Sequence, residues 1–321
     1  MLREGRDKVK ALFTYDYGKE KMKAIRDLGY EIMIQKEDEA VVTEDIEDAE
    51  ILVCYNPFDT LDISKLSKLK WIQLSSIGID QVPLEIVKER GITLTNNRGG
   101  YSIPMGEWIV LKMLEIYKNS YGFFKLQQQK RWKLDKSLLE LSGKKVLFIG
   151  TGTIAQEAAK RLQGFDMDIM GINTRGRNTE YFHQCYGIDV LEEIIPMADI
   201  VVLTIPHTEK THHLININRL KNMKRDALLI NVSRGSIIDE GALINHLREG
   251  NLMGVALDVF EEEPLPIESP LWEMDRVYTT PHNSWISEMR NERKIKMIME
   301  NMRRYRRGEE LINKIDIKRG Y

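Results

Sequence analysis

Short apolar, β-branched runs separated by polar helical stretches recur along almost the whole chain. Val9 to Tyr15, Glu31 to Gln35, Ile51 to Tyr55, Trp71 to Leu74 and Ile92 to Thr95 predict five strands. Charged helices over Lys19 to Asp27 and Leu84 to Glu89 fall between them. Asn96-Asn97-Arg98-Gly99-Gly100 then breaks the pattern, and Pro104 sits near the start of a helix over Met105 to Ile116, where proline is tolerated. A second series follows: Lys144 to Ile149, Asp168 to Asn173, Ile200 to Thr204, Ala227 to Val232, Val255 to Phe260 and Val277 to Thr280. The closing helix spans about Ser287 to Arg306. Strands alternating with helices predict an α/β protein with open, doubly wound parallel sheets, divided near the glycine pair. Lys118 to Ser142, with Arg131 and Trp132, reads as polar and helical, either a solvated connection or an arm that packs on a partner subunit.

Most informative is the run ending Phe148-Ile149-Gly150-Thr151-Gly152-Thr153-Ile154-Ala155, which leads into an alanine-rich helix. Gly150 and Gly152 let the backbone turn tightly and approach a pyrophosphate, while the small Ala155 lets the helix pack on its strand. The helix N-terminus offers free N–H groups to phosphate. This is the first βα unit of a Rossmann-like dinucleotide-binding domain. The earlier series has no such fingerprint, so the dinucleotide is assigned to the later one. In the earlier series, Ser75-Ser76-Ile77-Gly78-Ile79-Asp80 follows a strand, where small residues can aim backbone N–H groups at a carboxylate.

Composition narrows the class. The 321 residues are 42% hydrophobic and 30% charged, as in a globular protein of about two domains, and the net charge of -2 gives no pull toward nucleic acid or an anionic membrane. Cys54 and Cys185 lack metal-ligand spacing and read as reduced structural thiols of a cytoplasmic protein; no metal is expected. Met1 to Lys8 is charged, without an apolar signal core, and no segment has the length of a membrane span.

The ends of the second-series strands carry the chemistry. A dinucleotide site that prefers NAD usually closes its second strand with an acid that binds the ribose hydroxyls. Here Asn173 stands there, followed by Thr174, Arg175, Gly176 and Arg177, so the charge that repels a 2′-phosphate is missing and two guanidinium groups are at hand. NADP is therefore expected, with NAD possible. Pro206, Thr211, Val232 and Ser233 are assigned to the same cofactor-binding edge. Three successive strands then deliver Arg234, the acidic cluster Glu261-Glu262-Glu263 and His282. An arginine can grip a carboxylate by two parallel hydrogen bonds, and a histidine held by a carboxylate can carry a proton to or from a carbinol oxygen. His207, His212 and His213 read as loop residues, with His207 a minor candidate near the cofactor.

These motifs together resemble the D-isomer-specific 2-hydroxyacid dehydrogenases. The likeness rests on Leu141-Ser-Gly-Lys-Lys145 before the Gly150 turn, Asn231-Val-Ser-Arg234-Gly-Ser-Ile-Ile-Asp239, Leu257-Asp258-Val-Phe-Glu-Glu-Glu263-Pro-Leu-Pro266, Thr280-Pro-His282 and Asn301 to Asp316. The resemblance implies Arg234 as substrate clamp, Glu263, directly before its proline, as the carboxylate partner, and His282 as general acid/base. It matches Asp258 to the residue at the nicotinamide end, and Thr153 and Ile154 to those under the pyrophosphate. Ile77 and Gly78 match the carboxylate-binding loop, and Tyr101 the lining of the substrate pocket. It further implies a substrate-binding, flavodoxin-like domain of residues 1–99 with 288–321, a dinucleotide domain of residues 100–287, an active site in the cleft between them, and a homodimer. Ala155 and Asn173 depart from the family's glycine and acid. No appended regulatory domain is expected.

The expected function is reduction of a small 2-keto acid to a D-2-hydroxy acid by NADPH. The alternatives are an NAD-dependent, phosphoglycerate-type dehydrogenase and a nucleotide-sensing, corepressor-like scaffold, which keeps the same triad but carries extended tails. Formate or phosphite oxidation on the same fold is disfavoured, because formate enzymes generally lack the carboxylate seen as Glu263.

Overall fold

A computed structural model describes residues 8–317, so the charged N-terminal stretch through Asp7 and the final Gly320-Tyr321 lie outside the described residues. The chain forms two compact units, one of residues up to Gly100 with those from Glu288 on, the other Tyr101–Ser287.

The first unit runs β1 (Val9–Phe13), α1 (Lys19–Arg26), β2 (Tyr30–Ile34), β3 (Ile51–Cys54), β4 (Trp71–Leu74), α2 (Leu84–Glu89) and β5 (Thr93–Thr95). The second runs α3 (Ser102–Tyr117), α4 (Ser120–Gln128), β6 (Lys145–Ile149), α5 (Thr153–Leu162), β7 (Asp168–Asn173), β8 (Gln184–Gly187), α6 (Leu191–Ile194), β9 (Ile200–Leu203), α7 (Ile217–Asn222), β10 (Leu228–Asn231), α8 (Glu240–Arg248), β11 (Gly254–Leu257) and β12 (Val277–Thr279). Finally α9 (Arg290–Arg307) returns to the first unit.

In the first unit all strands are parallel in the order β2-β1-β3-β4-β5, the flavodoxin-like order. Successive residues of its strands face opposite cores. Leu12, Leu52 and Ile72 join one, while Ala11, Phe13, Val53 and Trp71 meet Ile295, Ile298 and Met302 of α9 in the other. A sheet covered on both faces needs strands that are apolar throughout, which is why these read as runs rather than as alternation. Buried Asn301 clasps the chain end: its carboxamide exchanges bonds with the Ile312 N–H (2.7 Å) and carbonyl (3.0 Å) and donates to Gln73 Oε1 (2.8 Å).

The second unit's sheet, β12-β11-β10-β9-β6-β7-β8, is also wholly parallel and has the Rossmann order, with the strand direction of winding reversing between β6 and β9. One strand here was not expected from the sequence, and one expectation is corrected. The edge strand β8, Gln-Cys-Tyr-Gly, has no apolar run to betray it in the sequence. Of Lys118 to Ser142 only α4 is helical. Beyond it Lys130 takes a left-handed backbone (φ 52°), and Asp135 accepts the N–H of Ser137 at 2.9 Å, a local bond that competes with helix.

Candidate active site

The glycine turn sits at the point where the second sheet's winding reverses. Gly150 has φ +102°, and a Cβ there would lie 2.8 Å from the Thr204 carbonyl oxygen at the end of β9, so conformation and space both demand glycine. A Cβ on Gly152 would meet nothing within 4 Å, which leaves the N-terminus of α5 open to a ligand. Thr153 accepts a hydrogen bond from Ser102 at 2.8 Å, and Ala155 is buried against the sheet. Ile154 follows in the first turn of α5.

At the end of β7, Asn173 does local work. Its Oδ1 accepts the N–H groups of Arg175 (3.2 Å) and Arg177 (3.0 Å), and its Nδ2 donates to the Arg177 carbonyl (2.8 Å) and the Thr151 hydroxyl (3.2 Å). The carboxamide thus folds the loop that presents Thr174, Arg175 and Arg177, all exposed. Among the described residues, neither guanidinium has a carboxylate within 4 Å. Thr211 is likewise a loop fastener: its hydroxyl donates to the Pro206 carbonyl (2.8 Å) and accepts the Thr208 N–H (2.7 Å).

Arg234 is aimed by Asn231, the last residue of β10. Asn231 Oδ1 accepts the Ser233 N–H at 3.0 Å, and its Nδ2 donates to the Arg234 carbonyl at 2.9 Å, turning the chain sharply after Val232. Sequence reasoning gave Asn231 no task. The signal was an asparagine at a strand end, two residues before a turn it can close on itself. Gly235 follows because a Cβ there would overlap the Phe260 carbonyl, so the loops after β10 and β11 touch backbone to backbone. Two buried polar atoms at this edge, Ser233 Oγ and His207 Nε2, have no hydrogen-bond partner among the described residues. Unsatisfied buried polar atoms beside an open glycine turn fit a polar ligand such as a dinucleotide.

His282 and Glu263 meet. His282 Nδ1 and Glu263 Oε2 are 2.7 Å apart, and Glu263 Oε1 accepts the Phe260 N–H at 3.0 Å. His282 holds a left-handed backbone (φ 49°), which a bulky residue rarely adopts unless its surroundings impose it. They do: its N–H donates to the Asp258 (2.8 Å) and Thr280 (3.0 Å) carbonyls, and its own carbonyl accepts the Trp285 indole N–H (2.8 Å). Tyr101 packs edge-on against Trp285 at 5.3 Å. Fully buried Asp258 anchors the same turn, accepting from the Thr280 hydroxyl (2.6 Å), the Asn283 N–H (2.9 Å) and the Ser284 N–H (3.0 Å). The role the structure displays for Asp258 is to hold His282.

Burial alone would raise the Glu263 carboxyl, but the hydrogen bonds from His282 and Phe260, with the His282 and Arg234 charges, outweigh it and leave it below the ordinary carboxylate value. A depressed carboxyl adds stability above its unfolded value of about 4.3 and loses it as pH falls through the lower native value. A Glu263→Gln protein is therefore expected to melt below the parent at pH 7, with the gap closing on acidification below about pH 4. Calorimetry at several pH values checks this; a gap constant with pH would contradict it.

In the first unit, Ile77 and Gly78 follow β4. The Asn96 carboxamide donates to the Ile77 carbonyl (2.7 Å) and the Ser76 hydroxyl to that of Gly78 (2.9 Å), whereas the Ile77 and Gly78 N–H groups have no partner among the described residues. Two N–H groups without an internal acceptor are donors available to an anion. No group of three metal-ligating side chains and no helix long and apolar enough to cross a membrane occur among the described residues.

Residues 110–284 match the family model for the D-isomer specific 2-hydroxyacid dehydrogenase NAD binding domain. A glyoxylate reductase of Pyrococcus horikoshii is 31% identical over 305 residues, 91% of this chain and 89% of that protein. The chain belongs to the D-isomer specific 2-hydroxyacid dehydrogenases. A D-3-phosphoglycerate dehydrogenase of Methanocaldococcus jannaschii is 31% identical over 315 residues, 96% of this chain but 60% of its own length. Among solved structures, a D-isomer specific 2-hydroxyacid dehydrogenase from Xanthobacter autotrophicus Py2, in complex with NADPH and MES, aligns with a TM-score of 0.83 and 27% identity over 98% of this chain and 100% of its own. The protein is thus an NAD(P)-dependent oxidoreductase of this dehydrogenase family.

Proposed function

We propose that this dehydrogenase reduces a small 2-keto acid, of the glyoxylate or hydroxypyruvate type, with NADPH in preference to NADH. The observation that carries the reading is the His282–Glu263 pair at 2.7 Å, in one unit with a glycine turn open to a nucleotide. The bound nicotinamide supplies the hydride for the carbonyl carbon. His282, protonated and held by Glu263, gives its proton from Nε2 to the carbonyl oxygen. Glu263 fixes the ring's tautomer and stabilises its charged form. Arg234 grips the substrate's carboxylate and carbonyl, which orients the reacting carbon and withdraws electrons from it. The Ile77 and Gly78 N–H groups take a carboxylate oxygen, and Tyr101 lines the substrate side of the Trp285 ring.

Cofactor contacts are assigned to Gly150, Gly152, Thr153 and Ile154 for the pyrophosphate, and to Thr174, Arg175 and Arg177 for the 2′-phosphate. Asn173 acts by shaping that last loop, and Pro206, Thr211, Val232 and Ser233 line the nicotinamide side. Absorbance of the reduced nicotinamide, followed with purified protein across a panel of 2-keto acids, tests the reading. Faster oxidation of NADPH than of NADH with one such acid supports it. Nucleotide binding without turnover of any 2-keto acid would favour the scaffold alternative.

The enzyme is also proposed to be a homodimer built through the second unit. No residue of α4 is buried, and Phe124 (55% exposed), Leu134 (74%) and fully exposed Trp132 leave the arm over residues 118–142 with apolar surface toward solvent. Light scattering is expected to give twice the chain mass, and a Trp132→Asp/Leu134→Asp variant is expected to give the single-chain mass. A parent of single-chain mass would reject the dimer.

A further inference from the structure

The acidic loop that carries Glu263 is held a second time, from its other side. Glu261 Oε1 lies 2.6 Å from His213 Nε2, an imidazole–carboxylate pair as short as the one two residues further on. The His213 main chain belongs to a different segment. Its N–H donates to the Ser236 carbonyl at 2.8 Å, and Ile215 N–H to Ile237 at 2.9 Å, which ties it to the stretch directly after Arg234. His213 therefore spans the two loops that Gly235 brings into backbone contact. It does so from a left-handed backbone (φ 48°), the same unfavourable region that His282 occupies.

The charges around it explain why a histidine is useful there. The Glu240 N–H faces Glu261 Oε1 at 3.5 Å, and the Glu261 N–H faces Glu240 Oε2 at 3.3 Å, so these two carboxylates share a corner with the adjacent Glu262. Burial, together with the Glu261 and Glu262 charges, raises the Glu240 carboxyl above its ordinary value. His213 adds a ring N–H donor to Glu261 at this corner, at 2.6 Å. Its ring stacks on His212 at 4.0 Å, and His212 meets His207 edge-on at 5.7 Å.

We propose that His213, acting through Glu261, is a positioning residue that sets the loop carrying Glu263 against His282 and registers it to the Arg234 turn. The proposal rests on the reading of His282 and Glu263 given above. Without His213 the Glu261 carboxylate is left beside Glu240, and the loop relaxes away from the geometry that addresses the imidazole.

The test compares His213→Ala with His213→Gln in the full-length protein, using the 2-keto acid turned over fastest. Both variants pay the same left-handed backbone penalty, but only glutamine can donate an N–H to Glu261. His213→Ala is expected to lower kcat about tenfold with little change in KM for nucleotide, and to move the pH profile of kcat. His213→Gln is expected to recover most of the rate. In a Glu263→Gln background, His213→Ala should have no further effect on kcat, since its action passes through Glu263. Equal loss in the alanine and glutamine variants, an unmoved pH profile, or losses that add in the double variant would each overturn the proposal. A His282→Asn control separates the two levels: parent-like turnover there rejects the underlying reading, whereas an inactive control beside a parent-like His213→Ala rejects this inference alone.

Discussion

Replacement of His282 by asparagine is expected to cut kcat by about a thousandfold, within the range general acid–base groups contribute, while nucleotide binding and Tm stay near those of the parent. Asparagine is chosen because it tolerates the left-handed backbone that His282 occupies (φ 49°) and so leaves the turn intact. Alanine removes the same proton carrier but adds strain at that backbone, so comparing the two variants separates chemistry from folding. The loss should fall on kcat rather than on KM, because the proton moves only as the carbonyl carbon changes state. Steady-state kinetics on folded variant protein checks it. Parent-like turnover in the asparagine variant, with an unchanged Tm, would remove His282 from the mechanism and with it the role given to Glu263.

The second large effect concerns the nucleotide. An Asn173→Asp/Arg175→Ser/Arg177→Ser protein is expected to shift the ratio of kcat/KM for NADPH over NADH by about a hundredfold toward NADH. Two charge-assisted hydrogen bonds of about 1.5 kcal/mol each, at about 1.4 kcal/mol per tenfold, give that size. Exposure of both arginines argues for the lower end of such contributions. An aspartate at position 173 can still accept the two N–H groups that Asn173 Oδ1 accepts now, at 3.2 Å and 3.0 Å, but it cannot donate to the Arg177 carbonyl. An Arg175→Ser/Arg177→Ser protein that keeps Asn173 is therefore measured beside it, to separate loop damage from lost phosphate contacts. The new charge would also repel a 2′-phosphate. A parent that already uses NADH as well as NADPH would defeat the cofactor preference without touching the reaction class.

Asn173, singled out for the charge it lacks, carries an unforeseen task. The missing acid was legible as a missing charge. That the carboxamide would turn inward and brace Arg177 and Thr151 depended on where the backbone of the next four residues came to lie. Asp258 and Thr211 follow the same pattern. Each was marked as a ligand contact, and each spends its polar atoms on hydrogen bonds that shape a loop.

The strands, their parallel α/β arrangement and the dinucleotide turn were determined by the sequence alone. Burial on both faces of a sheet requires continuous apolar runs, and the Gly150 position admits no side chain. The motif set likewise carried the family and singled out Arg234, Glu263 and His282. What only the tertiary structure decided is how those groups are held. Strand β8 is four residues of mixed polarity whose pairing comes from its neighbour β7. The left-handed turn at His282 exists because Asp258, 24 positions earlier, accepts from three residues around it. The pairing of His213 with Glu261 joins residues 48 apart. Such contacts are set by which loops the parallel sheet places side by side at its carboxyl edge, and no local pattern along the chain encodes that adjacency.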